Sequence, residues 1–345
     1  MQNKTDETTL PSVTALSVAA AFHRALVTKY GYLFSKEELP LIQHFVNTGI
    51  EMYPSSFNGT VMKSISALPY SWQQSFFNKV VIPAYDEIIM LRKFMIRQKL
   101  EQAIANGANQ VVIIGGGYDT LSLVMAAKYP KVKFYEIDKG VTRQCKLDAI
   151  KTIPDDYAPV NSSIKKNLFF IEADLNEKPL VGILNNAGFE DMEYTFFLGE
   201  GITPYLNEKT NKNFLYSLNY LCKNPESEVL ISYITKTGYY SGISETAHAE
   251  SSEQHQFSLP VSEVLPFVAD CLFDIVAKKS VTDMLGDLGK KNSAEFYKNN
   301  QDIREYYYVL KKGLLDAKKS MADVPEIDIE LPPKPLEQES SCLQM

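Results

Sequence analysis

Between residues 106 and 313, short apolar runs alternate with stretches in which apolar positions recur every three or four residues. That is the pattern of strands joined by helices. The clearest unit is Asn109 to Asp138, NQVVIIGGGYDTLSLVMAAKYPKVKFYEID. Val111-Val112-Ile113-Ile114 is a continuous run of strand formers bounded by glycine, which reads as a buried parallel strand. Gly115, Gly116 and Gly117 allow a sharp turn and close approach to the backbone. Leu121, Val124, Met125 and Ala127 have helical spacing within 120–128, and a second strand, 132–137, ends in acid at Glu136 and Asp138. The pattern predicts further strands at 168–171, 195–198, 228–234, 272–280 and 306–310, with helices at 140–150, 179–187, 206–221 and 261–271. It gives no element between Ser280 and Tyr306. The fold class is therefore α/β, with a Rossmann-like sheet of seven strands.

Before the first strand the pattern is helical. Residues 1–11 read as a disordered lead. Ser12 can cap a helix through Ala15, Ala19, Phe22 and Leu26 to Tyr30. Ser35 and Glu38 have capping-box spacing for a second helix that runs to about Met52. A long helix runs from Pro83 to about Ala105 with Ile88, Leu91, Met95 and Leu100 inward. Residues 12–105 thus read as an N-terminal helical cap over the ligand mouth, and 106–313 as the core. Within the core, 236–260 is a polar insertion just past a strand tip, where a lid belongs. The remainder, 314–345, reads as a C-terminal helix and a flexible tail, Pro- and Glu-rich from Pro325 onward.

Strand, glycine turn, helix, strand and terminal acid make a unit for the nucleoside end of a cofactor. A carboxylate at the second strand tip can accept from both ribose hydroxyls. The dinucleotide pattern G-x-G-x-x-G is incomplete, because Thr120 stands where the third glycine belongs. Asp119 puts negative charge at the helix start, which suits the helix dipole and opposes a phosphate. Both features turn the reading from a dinucleotide towards S-adenosylmethionine, a cationic sulfonium without pyrophosphate. Four strand tips carry Gly115–Gly117, Asp138, Asp174 and Glu200, and ligands of open α/β sheets sit at that edge.

Composition narrows the setting. The chain has 345 residues and a net charge of -7, which disfavours a nucleic-acid partner held by electrostatics. Cys145, Cys222, Cys271 and Cys342 form no CxxC pair, so a structural metal or disulfide framework is not expected, and a reducing, cytoplasmic setting is. No apolar run reaches the length of a membrane span. Cys342-Leu343-Gln344-Met345 fits the Cys-a-a-X pattern, so membrane contact is expected only if Cys342 is prenylated.

The segments TALSVAAAFHRA (14–25), Arg92 with its helix, QVVIIGGGYDT (110–120), FYEID (134–138), ADL (173–175) and GEGITPYLNE (199–208) resemble the leucine carboxyl methyltransferase family, in its bacterial branch. The resemblance implies a class I methyltransferase sheet of seven strands, the last antiparallel, and S-adenosyl-L-methionine as cofactor. Position by position it implies that Arg92 pairs with the cofactor carboxylate and that Gly115 and Gly117 face the methionine part. Asp138 would hold the ribose, with Glu136 the lesser choice. Asp174 and Leu175 would meet the adenine, Glu200 the amino group and reacting centre, and Tyr205 the substrate. The chain departs from the family at Phe94, where a second basic residue is usual and Lys93 stands beside it. It departs again at Thr203-Pro204, before Tyr205-Leu206.

The expected reaction is O-methylation of a small-molecule carboxylate or hydroxyl, with Glu200 and Tyr205 at the reacting centre. A protein or peptide C-terminal carboxylate is the second acceptor class. A carboxylate needs no base; a hydroxyl does, and His248 and His255 of the insertion could serve. His23 and His44, on cap helices, read as structural. Two rivals remain. Asn185-Asn186-Ala187-Gly188, with Tyr205 and Lys209, imitates the motifs of an NAD(P)-dependent short-chain oxidoreductase. A cofactor-binding protein without catalysis is the other.

Overall fold

In the computed structural model, residues 12–52, 83–154, 166–235, 255–300, 305–313 and 320–333 are described, with a few single positions between 64 and 75. The lead 1–11, His248 with most of the insertion, and Cys342 with its tail lie outside the described residues.

The first strand, β1 (Gln110–Ile114), lies in the middle of a seven-stranded sheet and is wholly buried. It pairs in parallel with β2 (Lys133–Asp138) on one side and β4 (Thr195–Gly199) on the other. β3 (Leu168–Glu172) lies outside β2, and β5 (Glu228–Ile234) outside β4. β7 (Glu305–Lys312) runs antiparallel between β5 and the edge strand β6 (Phe273–Ser280). The order β3-β2-β1-β4-β5-β7-β6, with β7 reversed, is the class I methyltransferase sheet that the resemblance implies. Chain direction across the sheet switches between β1 and β4, and the crevice at their carboxyl ends is where such sheets place ligands.

Strand alternation builds two cores. Val111, Ile113, Phe196 and Leu198 enter one, while Val112, Ile114 and Phe197 enter the other. The first face is covered by α1 (Val13–Ala25), α2 (Glu38–Met52), α3 (Tyr85–Ala105) and α4 (Leu121–Lys128). The second carries α6 (Leu180–Asn186), α7 (Glu208–Leu221) and α8 (Val261–Asp270). α5 (Gly140–Lys151) follows β2.

Ser12 caps α1, accepting from the Ala15 amide at 3.0 Å. The capping box expected at Ser35 and Glu38 does not form, because the Glu38 carboxylate turns inward to Arg97 and Thr120. A buried cation offers a carboxylate more than an exposed amide does. α3 is wider in its burial than the inner face read from the pattern, since every residue from Asp86 to Arg97 is buried. The charged residues in that stretch are paired, as with Arg24 and Asp86 at 2.7 Å, which lets the helix lie inside.

Two helices occupy the stretch for which the pattern gives none: α9 (Val281–Asp287) and α10 (Lys291–Asn299). Ser280 and Asp283 form a capping box at the start of α9. Of the segment expected to hold a C-terminal helix and tail, 320–333 is described, and it holds a short 3-10 turn, Met321–Asp323. From there the chain lies along β6: the Lys278 amide donates to Pro325 O at 3.0 Å, and the Ile327 amide to Lys278 O at 2.8 Å. Ile327 is buried. A segment rich in Pro and Glu can cover a sheet edge without a large core of its own.

Candidate functional site

The glycine turn is held open from three sides. Gly115 and Gly117 have φ of +76° and +51°, which L side chains rarely adopt. A Cβ on Gly116 would stand 2.5 Å from Glu136 Oε1, so Glu136 fills the space below the turn. A Cβ on Gly117 would press on Ala15 at 3.0 Å, so the start of α1 lies against the turn.

Glu136 is committed to this support. Lys146 of α5, itself fully buried, donates to both its oxygens at 2.7 and 2.8 Å and to the Asp119 carbonyl at 2.6 Å. Ser122 adds a further hydrogen bond. Asp138 is different. The Gly117 amide donates to its Oδ2 at 2.6 Å and the Lys139 amide to its Oδ1 at 2.7 Å, which fixes the carboxylate at the strand tip. Each oxygen keeps acceptor capacity for a hydroxyl. Burial pushes its pKa up to about 6 against those two amide bonds.

Across the crevice, Glu200 follows β4. The turn behind it is tied down: Gly201 (φ +65°) donates to Ser232 Oγ at 2.9 Å, and Thr203 Oγ1 donates to Ser232 O at 2.6 Å. A Cβ on Gly115 would stand 3.3 Å from Ile202 Cδ1, so Ile202 borders the turn from this side. Tyr205 ends the short turn Thr203–Tyr205, with the His255 ring edge-on at 5.0 Å between centroids. The chain on the far side of the insertion is fastened here too. Gln256 N donates to Pro204 O at 2.6 Å and Leu259 N to Ile234 O at 2.8 Å. Of the two candidate bases, the structure thus places His255 beside Tyr205.

Three cations of α3 enter this crevice. Lys93 Nζ lies 2.7 Å from Asp119 Oδ2 and 2.8 and 2.9 Å from the two Glu200 oxygens. Arg92 Nε lies 2.6 Å from Glu200 Oε1, and its Nη1 3.0 Å from Glu305 Oε2. Arg97 joins Glu38 at 2.7 Å and Asp119 at 3.3 Å. Burial alone would raise the Asp119 pKa; the Lys93 and Arg97 charges override it and hold the carboxyl well below the usual range. Burial likewise opposes the Arg92 charge, and Glu200 and Glu305 more than restore it.

Asp174 forms a turn at the tip of β3, accepting from the Asn176 amide at 2.8 Å and facing Lys139 Nζ at 3.3 Å. Leu175 packs against the second core. The tips of β1, β2, β3 and β4 therefore bring Gly115, Gly117, Asp138, Asp174, Leu175, Glu200 and Tyr205 to one edge, while Arg92 sits behind Glu200. His23 is buried, with its ring edge-on to Tyr70; burial, then the Arg24 charge, lowers its pKa to about 4. His44 bonds Ala149 O at 2.8 Å. Both match a structural reading.

The sequence reading missed Lys93, Arg97, Glu38, Ser232 and Glu305 as parts of the site. The cations carry a signal: IIMLRKFMIR places three positive charges in a helix otherwise apolar enough to be buried. Glu38 and Glu305, distant in sequence, carry no local signal.

The oxidoreductase motif fails on geometry. Asn185 and Asn186 end α6 instead of a strand, and Tyr205 lies in a turn with Lys209 in the first turn of the next helix.

The model of the leucine carboxyl methyltransferase family matches residues 19–218, more than half of the chain. The chain belongs to that family. The class I sheet agrees with that membership. A Bacillus subtilis (strain 168) protein named as an S-adenosyl-L-methionine-dependent methyltransferase, YktD, is 25% identical over 138 residues. Those residues are 40% of this chain and 42% of the relative's length. A methyltransferase structure from Thermobifida fusca aligns at 14% identity and a TM-score of 0.48, over 71% of this chain and 89% of its own. An O-methyltransferase from a polyketide synthase multienzyme of Brevibacillus brevis, in complex with S-adenosyl-L-homocysteine, aligns at 14% identity and a TM-score of 0.41, over 65% and 80%. Among the described residues, no helix is long and apolar enough to cross a membrane, and no cluster of metal-ligating side chains occurs.

Proposed function

We propose that the protein transfers a methyl group from S-adenosylmethionine to a carboxylate or hydroxyl oxygen of a small molecule. The observation that carries this is the pairing of Asp138 with the Gly117 amide at the tip of β2, opposite Glu200 at the tip of β4. The residues fit the cofactor. The glycine turn leaves backbone room, and the fixed Asp138 carboxylate suits two ribose hydroxyls. Asp174 and Leu175 offer an acceptor and an apolar side to adenine. The crevice also holds paired charges of both signs, as a zwitterionic amino-acid end requires. Gly115 and Gly117 would face that end, with Glu200 to its ammonium and the Arg92–Lys93 pair to its carboxylate.

The cofactor supplies a methyl already activated on a sulfonium. The chain's residues then have to align an acceptor and exclude water. Tyr205 borders the acceptor side. A carboxylate acceptor needs no proton transfer, whereas a hydroxyl needs a base, for which His255 is placed beside Tyr205. A protein C-terminal carboxylate is the alternative acceptor, and the name of the family favours it.

The test is calorimetric titration with S-adenosylhomocysteine and with NADH, beside Asp138→Ala. The reading requires homocysteine-compound binding that the variant loses, and no binding of NADH. Binding of NADH instead would sink it. Turnover is then sought with radiolabelled cofactor against carboxylate, phenol and peptide acceptors.

A further inference from the structure

The cofactor reading assigns the sheet edge in order: adenine at β3, ribose at β2, and the amino-acid end between β1 and β4. The acceptor side then continues past β4 to β5 and β7. Because β7 is antiparallel, it begins where β5 ends, and Glu305 pairs in register with Ile234. Strand alternation puts Glu305 on the same face as Tyr307 and Val309, the face covered by α1 and α3.

The charges of the crevice do not cancel. Among the described residues, the four carboxylates Glu38, Asp119, Glu200 and Glu305 share the three cations Lys93, Arg92 and Arg97. The nearby Lys146 is already matched by Glu136. Glu38 also has Thr120, Asp119 has two cations and the Leu121 amide, and Glu200 has two cations. Glu305 has one charged partner, Arg92, on one oxygen at 3.0 Å. Its side chain is also the most exposed of the four, at 16% against 1%, 10% and 8%. The unbalanced negative charge is therefore concentrated at Glu305, on the acceptor side. Tyr307, fully buried close to Glu305, does not offset it: burial and then the Glu305 charge raise its pKa, so the phenol stays neutral.

We infer that the methyl acceptor is a small amine, and that Glu305 receives its ammonium while a hydroxyl or carboxyl oxygen of the same molecule takes the methyl group. The inference rests on the methyl-transfer reading above and names the substrate class of that site. An ammonium can donate to Glu305 Oε1, which has no partner among the described residues, while Arg92 keeps Oε2. An acceptor carrying only negative charge would meet Glu200 and Glu305 together, and like charges brought together select against a ligand.

Two sets of acceptors, matched in size and differing in charge, are offered with radiolabelled S-adenosylmethionine. The hydroxyl set is tyramine, para-propylphenol and para-hydroxyphenylpropionate. The carboxylate set is ε-aminocaproate, heptanoate and heptanedioate. In the set that is turned over, kcat/KM of the ammonium member should exceed that of the neutral member at least tenfold, with the most anionic member lowest. Glu305→Gln should raise KM of the ammonium member at least tenfold, with its kcat and the KM of the neutral member within threefold. Glu305→Asp should keep the preference. The wild-type order decides the matter if Glu305→Gln does not fold. Preference for a neutral or more anionic member, or no turnover of either ammonium member, overturns the inference. So does a Glu305→Gln variant that weakens S-adenosylmethionine against S-adenosylhomocysteine and keeps the acceptor preference, since the acid would then serve the sulfonium. Wild type that fails to bind S-adenosylhomocysteine removes the methyl-transfer reading itself.

Discussion

The Gly117 amide and the Asp138 carboxylate meet at 2.6 Å, so the turn after β1 and the tip of β2 are one rigid unit. Asp138 carries a pKa raised by burial to about 6, and two ribose hydroxyls are accepted best by its ionised form. Cofactor affinity should therefore be flat above pH 7 and fall below pH 6, by about tenfold per unit at most. Calorimetry with S-adenosylhomocysteine between pH 5 and 8 measures this. Asp138→Asn should bind weakly and show a much flatter profile.

The buried Glu136–Lys146 pair supports the turn from below. Lys146→Met strands a buried carboxylate and should cost about 3–5 kcal/mol of stability. Glu136→Gln added to Lys146→Met should recover much of that loss. Urea midpoints of the two variants and wild type decide it, and a neutral single variant would refute the assignment of Lys146 as a structural partner.

Gly116→Ala tests the same space sterically. Its methyl would have to displace the Glu136 carboxyl, so a loss of about 1–3 kcal/mol is expected. Gly182→Ala, on α6 with nothing within 4 Å of the added carbon, is the control. It should be neutral or slightly stabilising, since alanine is the better helix former. Thermal melts of both suffice.

His255→Gln separates the acceptor classes. With a hydroxyl acceptor it should lower kcat by roughly a hundredfold. Affinity for S-adenosylhomocysteine should not change. With a carboxylate acceptor kcat should stay within a few fold of wild type.

Much of this was legible in the chain because strand tips in an α/β sheet share an edge. Gly115, Asp138, Asp174 and Glu200 each close a predicted strand, and topology alone brings them together. What the pattern could not show was how the charges pair. Glu38 looked like a cap because the local spacing allowed it, but a buried arginine from another helix took its carboxylate. Lys93 looked like a neighbour of a more important arginine until Asp119 and Glu200 were found on either side of it. The helices α9 and α10 were missed for another reason. They are short and carry few buried side chains, so their apolar periodicity is weak, although Ser280 and Asp283 announced the first of them.

The contact between Arg92 and Glu305 joins residues more than two hundred positions apart, and Glu305 opens the reversed strand β7, beyond the segment that the family model matches. During synthesis the helix bearing Arg92 and the glycine turn leave the ribosome long before that acid does. Until then Arg92 has Glu200 and lacks its second carboxylate. The nascent protein can assemble its nucleoside half early, but the charged half stays unfinished until the seventh strand threads between the fifth and sixth. The seventh strand thus completes the pairing of Arg92.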